Sequence, residues 1–308
     1  MRFLNWPMPS ATRALNYDLL AIDLDGTLLD RVGRVSRANR DALDVARGAG
    51  MKIAVCTGRG LCECREALDA IKQVDPVVVA GGSIVACPRT EQTLHRFAIA
   101  PRIVNTAVER VLHHGFPALV FKDRLSAGYD YLVVVGPRRF ELDPVTQWWF
   151  GAMRVKARYV ESIEQDEHPE HTVRFGACGL SGEMAVLARD LAGLFGEEAA
   201  MHHFPAVVAP EHASRHGDDS LHVLEVFGAQ ANKWNAVKVV ADRHGISTDR
   251  IAAIGDQIND VAMIAGARLG IAMGNAVPQV REVARHVTHT NEKDGVAYAV
   301  AKILDGDW

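Results

Sequence analysis

Two aspartates flank a single leucine in Asp23-Leu24-Asp25-Gly26-Thr27. Carboxylates this close repel one another unless a cation or a proton joins them. A bound Mg²⁺ answers that repulsion through hard oxygen ligands and leaves one carboxylate able to attack phosphorus. An isolated Asp-x-Asp is equally at home in a solvated turn, so further segments decide the matter. In Cys56-Thr57-Gly58-Arg59 a threonine hydroxyl and free backbone N–H groups can hold an anionic oxygen near a helix start. Arg59, two residues on, can reach a substrate or simply lie in solvent. In Gly255-Asp256-Gln257-Ile258-Asn259-Asp260 the two aspartates stand four apart and share a face if a helix begins there, which supplies further metal ligands. Lys233 can neutralise a phosphate that such an acidic pocket would repel, although solvation is the commoner fate of a lysine.

The elements around these residues bring them to one edge. Residues 17–23 form a short apolar run ending in carboxylates and a glycine, the pattern of a buried parallel strand feeding a loop. Ser36 is a plausible N-cap for a helix carrying Ala42, Leu43 and Ala46, and Gly48 and Gly50 end it before a second strand at 51–56. A helix over 61–72 leads to a third strand at 76–80 and a Gly81-Gly82 turn, so the chain starts as a doubly wound α/β unit with right-handed crossovers. In such a sheet ligands bind beyond the carboxyl ends of the strands, where Asp23, Asp25 and Thr57 stand. The cadence returns with a helix over 233–244, a strand at 250–255, a helix over 258–266, a strand at 269–273, a helix before His286 and a last one at 295–304. Between them, three β-rich runs (131–135, 171–175 and 221–227) alternate with helices at 101–114 and 182–195. That stretch is long enough to be a domain inserted at a loop tip. The organisation expected is thus a catalytic core of residues 1–86 and 229–308 with an inserted α+β domain over 87–228, in which 202–219 reads as loop.

Composition narrows the class. The 308 residues are 48% hydrophobic and 23% charged, which excludes collagen-like, coiled-coil and disordered chains. With 38 acidic against 34 basic side chains, the electrostatic footprint of a nucleic-acid binder is missing. No apolar stretch is long enough to span a membrane or to act as a secretory signal, and five scattered cysteines make a poor disulfide framework. A cytoplasmic location is the expectation, and nothing bears on oligomeric state.

Taken in order, Asp-x-Asp-Gly-Thr, strand-Thr-Gly-Arg, Lys and Gly-Asp-x-x-Asn-Asp resemble the motifs of the haloacid dehalogenase superfamily of phosphohydrolases, over residues 17–86 and 229–304. The position of the insert, after Ala80-Gly81-Gly82-Ser83, resembles the Cof-type or type IIB branch with its large α/β cap. The resemblance implies a Mg²⁺-dependent phosphatase of a small phosphorylated metabolite, a sugar phosphate first among them. Asp23 would be the nucleophile forming an aspartyl-phosphate, and Asp25 the general acid/base. Thr57, Gly58, Lys233 and Asn259 would bind the phosphoryl group. The metal would be held by Asp23, the carbonyl of Asp25 and Asp256, with Asp260 in support. The cap would close over the site, with Arg59 and Gly82 as further substrate contacts. This chain departs from the branch in having Gly81-Gly82-Ser83 where an Asn-Gly-Ala-like turn is usual, Trp234 after the motif lysine and Gln257 in place of a frequent glycine. Two rivals remain: a sugar phosphomutase of the same superfamily, and a silent phospho-ligand sensor, which retention of every charged motif residue disfavours.

Other features have plainer readings. His202, His203, His212, His216 and His222 match no compact zinc template and read as surface or satisfied side chains. Cys62 and Cys64 begin a helix whose N-terminus can lower a thiol pKa, yet packing of free thiols is the simpler account. Trp148, Trp149 and Phe150 can form a sugar-stacking platform but more often fill a core, and Trp234 is expected to do the same.

Overall fold

The computed structural model describes residues 15–206 and 220–308. Strand β1 (Leu19–Asp23) is buried along its whole length, as a central strand of a parallel sheet must be. Helix α1 (Arg37–Gly48) starts where the Ser36 hydroxyl accepts a hydrogen bond from the Asn39 N–H, and it buries the face carrying Ala42, Leu43 and Ala46. Strand β2 (Lys52–Cys56) follows. The expected helix over 61–72 is shorter: a 3₁₀ turn at 61–64 runs into α2 (Arg65–Ala70). Strand β3 (Val77–Val79) is then reversed by positive φ at Ala80, Gly81 and Gly82 into β4 (Ile84–Ala86), an antiparallel partner that the alternation of strand and helix does not foretell.

The insert opens with β5 (Thr93–Arg96), α3 (Pro101–His113), β6 (Ala118–Lys122), α4 (Arg124–Ala127), β7 (Tyr131–Val134), α5 (Pro144–Ala152) and β8 (Ala157–Val160). It continues with β9 (Thr172–Leu180), α6 (Ser181–Phe195), β10 (Ala199–Pro205) and β11 (Leu221–Gly228). Residues 202–205 are therefore strand, paired with β11, where loop was expected; 207–219 lie outside the described residues. The last stretch supplies α7 (Lys233–Arg243), β12 (Ile251–Gly255), α8 (Val261–Gly266), β13 (Leu269–Ala272), α9 (Pro278–Val283), β14 (His286–Val287) and α10 (Gly295–Asp305).

Two compact units result, one from residues up to Thr90 with Asn232–Trp308, the other Glu91–Ala231. In the first, neighbouring strands run β14-β13-β12-β1-β2-β3-β4, parallel except for the last pair. Helices α1 and α10 pack on each other, and α8 packs on α7 and α9, the arrangement of a doubly wound α/β fold. In the second, β10-β11-β9-β6-β7-β8 form a sheet, antiparallel except for β7 and β8. Helices α3 and α6 cover it through a core that includes Val108, Val111, Phe175, Met184, Leu187 and Leu191. Among the described residues no helix is long and apolar enough to cross a membrane.

Candidate active site

Strand register sets the level of the site. Asp23 stands opposite Cys56 on β2, and its neighbour Ile22 opposite Ile254 on β12. The residues just beyond these strand ends, Thr57 and Asp256, therefore emerge beside Asp23 at the carboxyl edge of the sheet. Lys233, the first residue of α7, enters the same place and is completely buried. Its Nζ donates to Asp23 Oδ1 at 2.5 Å and to Asp260 Oδ1 at 2.6 Å. The other oxygen of Asp260 accepts from the backbone N–H groups of Asp256 and Gln257 at 2.9 and 3.0 Å. Asp260 thus fixes both the lysine and the loop that carries Asp256.

Ligand oxygens of Asp23, Asp256 and Asp260 all lie within 4.8 Å of one another, and all three residues are buried. Burial raises the Asp23 carboxyl well above its ordinary value, and Asp260 and Asp256 raise it further, against the pull of Lys233. Asp256 is pushed up to about 6 by burial and by Asp260, while the Thr27 hydroxyl and Lys233 act against the rise. Lys233 keeps its proton, for although burial alone would lower its pKa, Asp23 and Asp260 outweigh burial and raise it. Three carboxylates against one ammonium leave two negative charges in excess when all are ionised. Hard oxygen donors at that spacing and charge suit a divalent cation. Asn259 Oδ1, adjacent in the chain, is buried with no hydrogen-bond partner, a further acceptor for a cation or a donor.

Two glycines shape the cradle. Gly26 has φ +77°, and a Cβ there would lie 2.4 Å from Asp256 Oδ2. Gly82 has φ +102°, and a Cβ there would lie 2.2 Å from the Asn232 carbonyl carbon, so Gly82 backs the first turn of α7 and hence Lys233. The departure at Ser83 leaves a buried hydroxyl without a partner. Thr57 is buried, its hydroxyl oxygen accepting from the Arg59 N–H at 3.1 Å, while Gly58 is half-buried with open space where a Cβ would be.

Asp25 stands apart from the carboxylate cluster. Arg59 forks onto it, Nε to Oδ2 at 2.9 Å and a second N–H to Oδ1, and Arg59 also reaches the Glu63 carbonyl. Arg59 is therefore a partner of Asp25 in this structure rather than a solvated side chain. Two contributors escaped the sequence reading. The Thr27 hydroxyl donates to Asp256 Oδ1 at 2.9 Å, and Asn275 Nδ2 donates to the Gly26 carbonyl at 2.8 Å. Asn275 follows β13, so the same rule of strand ends, applied to one more strand, points to it.

Of the remaining candidates, Trp234 is half-buried with its indole where a Cβ on Gly266 would fall. Phe150 is buried, Trp149 half-buried and Trp148 exposed. Burial pushes the Cys64 thiol up to about 12, the opposite of activation. His203 and His222 pair across β10 and β11 at 2.9 Å, while His212 and His216 lie outside the described residues.

A mostly parallel, doubly wound sheet with an acidic cluster at its carboxyl edge and an α+β insert after its fourth strand defines an α/β enzyme core of the kind that works on phosphorylated or metal-bound substrates. A family model described as haloacid dehalogenase-like hydrolase matches residues 20–300. The chain belongs to that family of hydrolases. It is 26% identical over 300 residues to the Bacillus subtilis 5-amino-6-(5-phospho-D-ribitylamino)uracil phosphatase YwtE, covering 94% of this chain and 99% of the relative. It is 28% identical over 282 residues to the B. subtilis phosphatase YcsE of the same name, covering 92% and 94%. Its fold is that of a haloacid dehalogenase-like hydrolase from Bacteroides thetaiotaomicron (TM-score 0.73, 21% identity, 93% of this chain and 99% of that one). TM0651 from Thermotoga maritima is similar to it as well (TM-score 0.71, 21% identity, 93% and 97%).

Proposed function

We propose that this chain hydrolyses the phosphate monoester of a small metabolite, a sugar phosphate by preference, with Mg²⁺ and through an aspartyl-phosphate on Asp23. The observation that carries the reading is the buried Asp23 at the end of β1, with Lys233 Nζ 2.5 Å from one of its oxygens and Asp256 beside it. Asp23, the carbonyl of Asp25 and Asp256 would hold the metal, with Asn259 and Asp260 in support. When bound, Mg²⁺ would neutralise charge on the phosphoryl oxygens and so make the phosphorus easier to attack. An Asp23 oxygen bonds to phosphorus as the bond to the leaving oxygen breaks, and Asp25 gives that oxygen its proton. Water then attacks the same phosphorus, Asp25 takes the water's proton, and the bond to Asp23 breaks to release phosphate. Lys233 faces the negative charge spread over the equatorial oxygens, and Thr57 and Gly58 hold one of them through hydroxyl and N–H donors. The two B. subtilis relatives carry the name of a phosphorylated ribityl compound, which supports a polyhydroxylated, phosphorylated substrate. The inserted unit is the part to which substrate choice is assigned, and its place is the cytoplasm, where free cysteines stay reduced.

The test is release of inorganic phosphate from a panel of sugar phosphates, nucleotides and an aryl phosphate, with Mg²⁺ and with chelator, for wild type and Asp23→Asn. Mg²⁺-dependent release that vanishes in a folded Asp23→Asn protein is expected. Interconversion of sugar phosphates without phosphate release would replace hydrolysis by a mutase reaction, and wild-type turnover in Asp23→Asn would remove the nucleophile.

A further inference from the structure

The inserted unit holds a second group of metal-ligating side chains, made of residues that the proposed phosphatase chemistry leaves unused. His168, Glu170 and His171 each offer a donor atom, and these atoms lie within 4.8 Å of one another. A 3₁₀ turn over Pro169–His171 creates the cluster. With three residues per turn, side chains at i and i+3 eclipse, so His168 and His171 fall on one side. Their ring centroids are 5.8 Å apart with planes 29° from parallel, and Glu170 Oε1 lies 3.1 Å from His171 Nε2. The second ring nitrogen of His171, Nδ1, is buried without a hydrogen-bond partner.

The turn is held rigidly from below. Lys122 on β6 is completely buried; its Nζ donates to the His168 carbonyl at 3.1 Å, to the Thr172 hydroxyl at 2.6 Å, and to Asp166. Asp166 in turn accepts the His168 N–H at 3.0 Å, and the His171 carbonyl accepts the Asp123 N–H at 2.9 Å. Donors fixed by buried bonds before a metal arrives lose little freedom on binding it. Strands β6 and β9 are tied together by Lys122 and Thr172 without help from the two imidazoles or the carboxylate.

We infer that His168, Glu170 and His171 form a binding site for a divalent transition-metal ion, with Zn²⁺ as the fitting probe. Two imidazole nitrogens and one carboxylate oxygen suit Zn²⁺ and its neighbours in the series, whereas Mg²⁺ prefers an all-oxygen set such as the cluster around Asp23. Three protein donors leave a fourth position for water or an exchangeable ligand.

The site is tested on the full chain by Zn²⁺ competition against a chromophoric chelator, and by the visible absorption of bound Co²⁺, which reports tetrahedral nitrogen and oxygen ligation. With excess Mg²⁺ present to occupy the cluster around Asp23, wild type is expected to bind one equivalent that the His168/His171 variant lacks, and Asp256→Asn, which alters only the cluster in the first unit, to keep that equivalent. The double variant His168→Ala/His171→Ala should weaken binding by at least about tenfold and abolish the Co²⁺ band. Glu170→Gln, whose side chain is largely exposed and whose loss cannot unfold the insert, should weaken it in the same direction. His203→Ala/His222→Ala should change nothing. Unaltered Zn²⁺ affinity in both Glu170→Gln and the His168/His171 variant would overturn the site, as would loss of binding in the His203/His222 variant alone. Because binding is read without turnover, failure here leaves the phosphatase reading standing, and failure of that reading leaves this site standing.

Discussion

At the scale of single residues the site is governed by how Lys233 and Arg59 spend their charges. Lys233 is buried between Asp23 and Asp260, so replacing it with methionine leaves two buried carboxylates without their counter-ion. Loss of one member of a buried ion pair costs about 3–5 kcal/mol, and loss of a donor aimed at developing charge costs about 10²–10³ in rate. Lys233→Met should therefore unfold at lower denaturant and lose kcat by at least about a hundredfold; near-wild-type values in both denaturation and steady-state kinetics would place the lysine outside the chemistry. Arg59 acts differently, through a fork that fixes the orientation of Asp25. Arg59→Lys keeps the charge but cannot make two parallel bonds. Asp25→Asn is expected to lower kcat by about 10²–10⁴, as removal of a general acid/base does, and Arg59→Lys by less, with the carboxylate present but loosely aimed. Equal kcat for wild type and Arg59→Lys on an aryl phosphate would show that the fork plays no part in orienting the acid.

At the scale of elements, strand ends and turns carry the geometry. Gly82→Ala forces a Cβ to within 2.2 Å of the Asn232 carbonyl carbon at a φ of +102°, both unfavourable for an L side chain. Strain of this kind costs about 1–3 kcal/mol, and relief must come from shifting the first turn of α7 that carries Lys233. Gly82→Ala should thus lower thermal stability and kcat together, whereas Gly48→Ala, with open space around it, should leave kcat unchanged; parallel melts and assays of the two separate strain from a general effect of glycine loss. Much of this was legible. Strands β1 and β12 are buried along their whole length and β2 from Ile53 to Cys56, and Ser36 caps α1 as its type predicts. What escaped depended on tertiary context. Three-residue β4 follows a reversal at Ala80, a non-glycine residue with φ +52°, which no composition rule flags. Strands β6 and β8 are four or five residues long between loops, and β10 begins with alanines and histidines of weak strand preference. In the site, the acidic pairs were visible as spacing, but the Asn275 bond to the Gly26 carbonyl joins positions 249 residues apart and only the folded sheet reveals it.

At the scale of the whole molecule, two units with separate cores make stability divisible. The first concentrates charge repulsion among Asp23, Asp256 and Asp260, so a bound divalent cation should stabilise that unit, by about 2.7 kcal/mol at a hundred times its dissociation constant. The second has its own apolar centre around Phe175, which is fully buried beside Leu187 and Leu191. Phe175→Ala should remove about 3–5 kcal/mol from that core alone. Scanning calorimetry can set the two against each other, because an unfolding profile with two cores need not be a single cooperative step. Added Mg²⁺ should shift one transition upward in wild type and leave it in place in Asp256→Asn, while Phe175→Ala lowers the other without altering the Mg²⁺ response. A single transition that moves with both perturbations would mean that the two cores unfold as one cooperative body, and a Mg²⁺ shift undiminished in Asp256→Asn would move the cation away from the cluster at the end of β1.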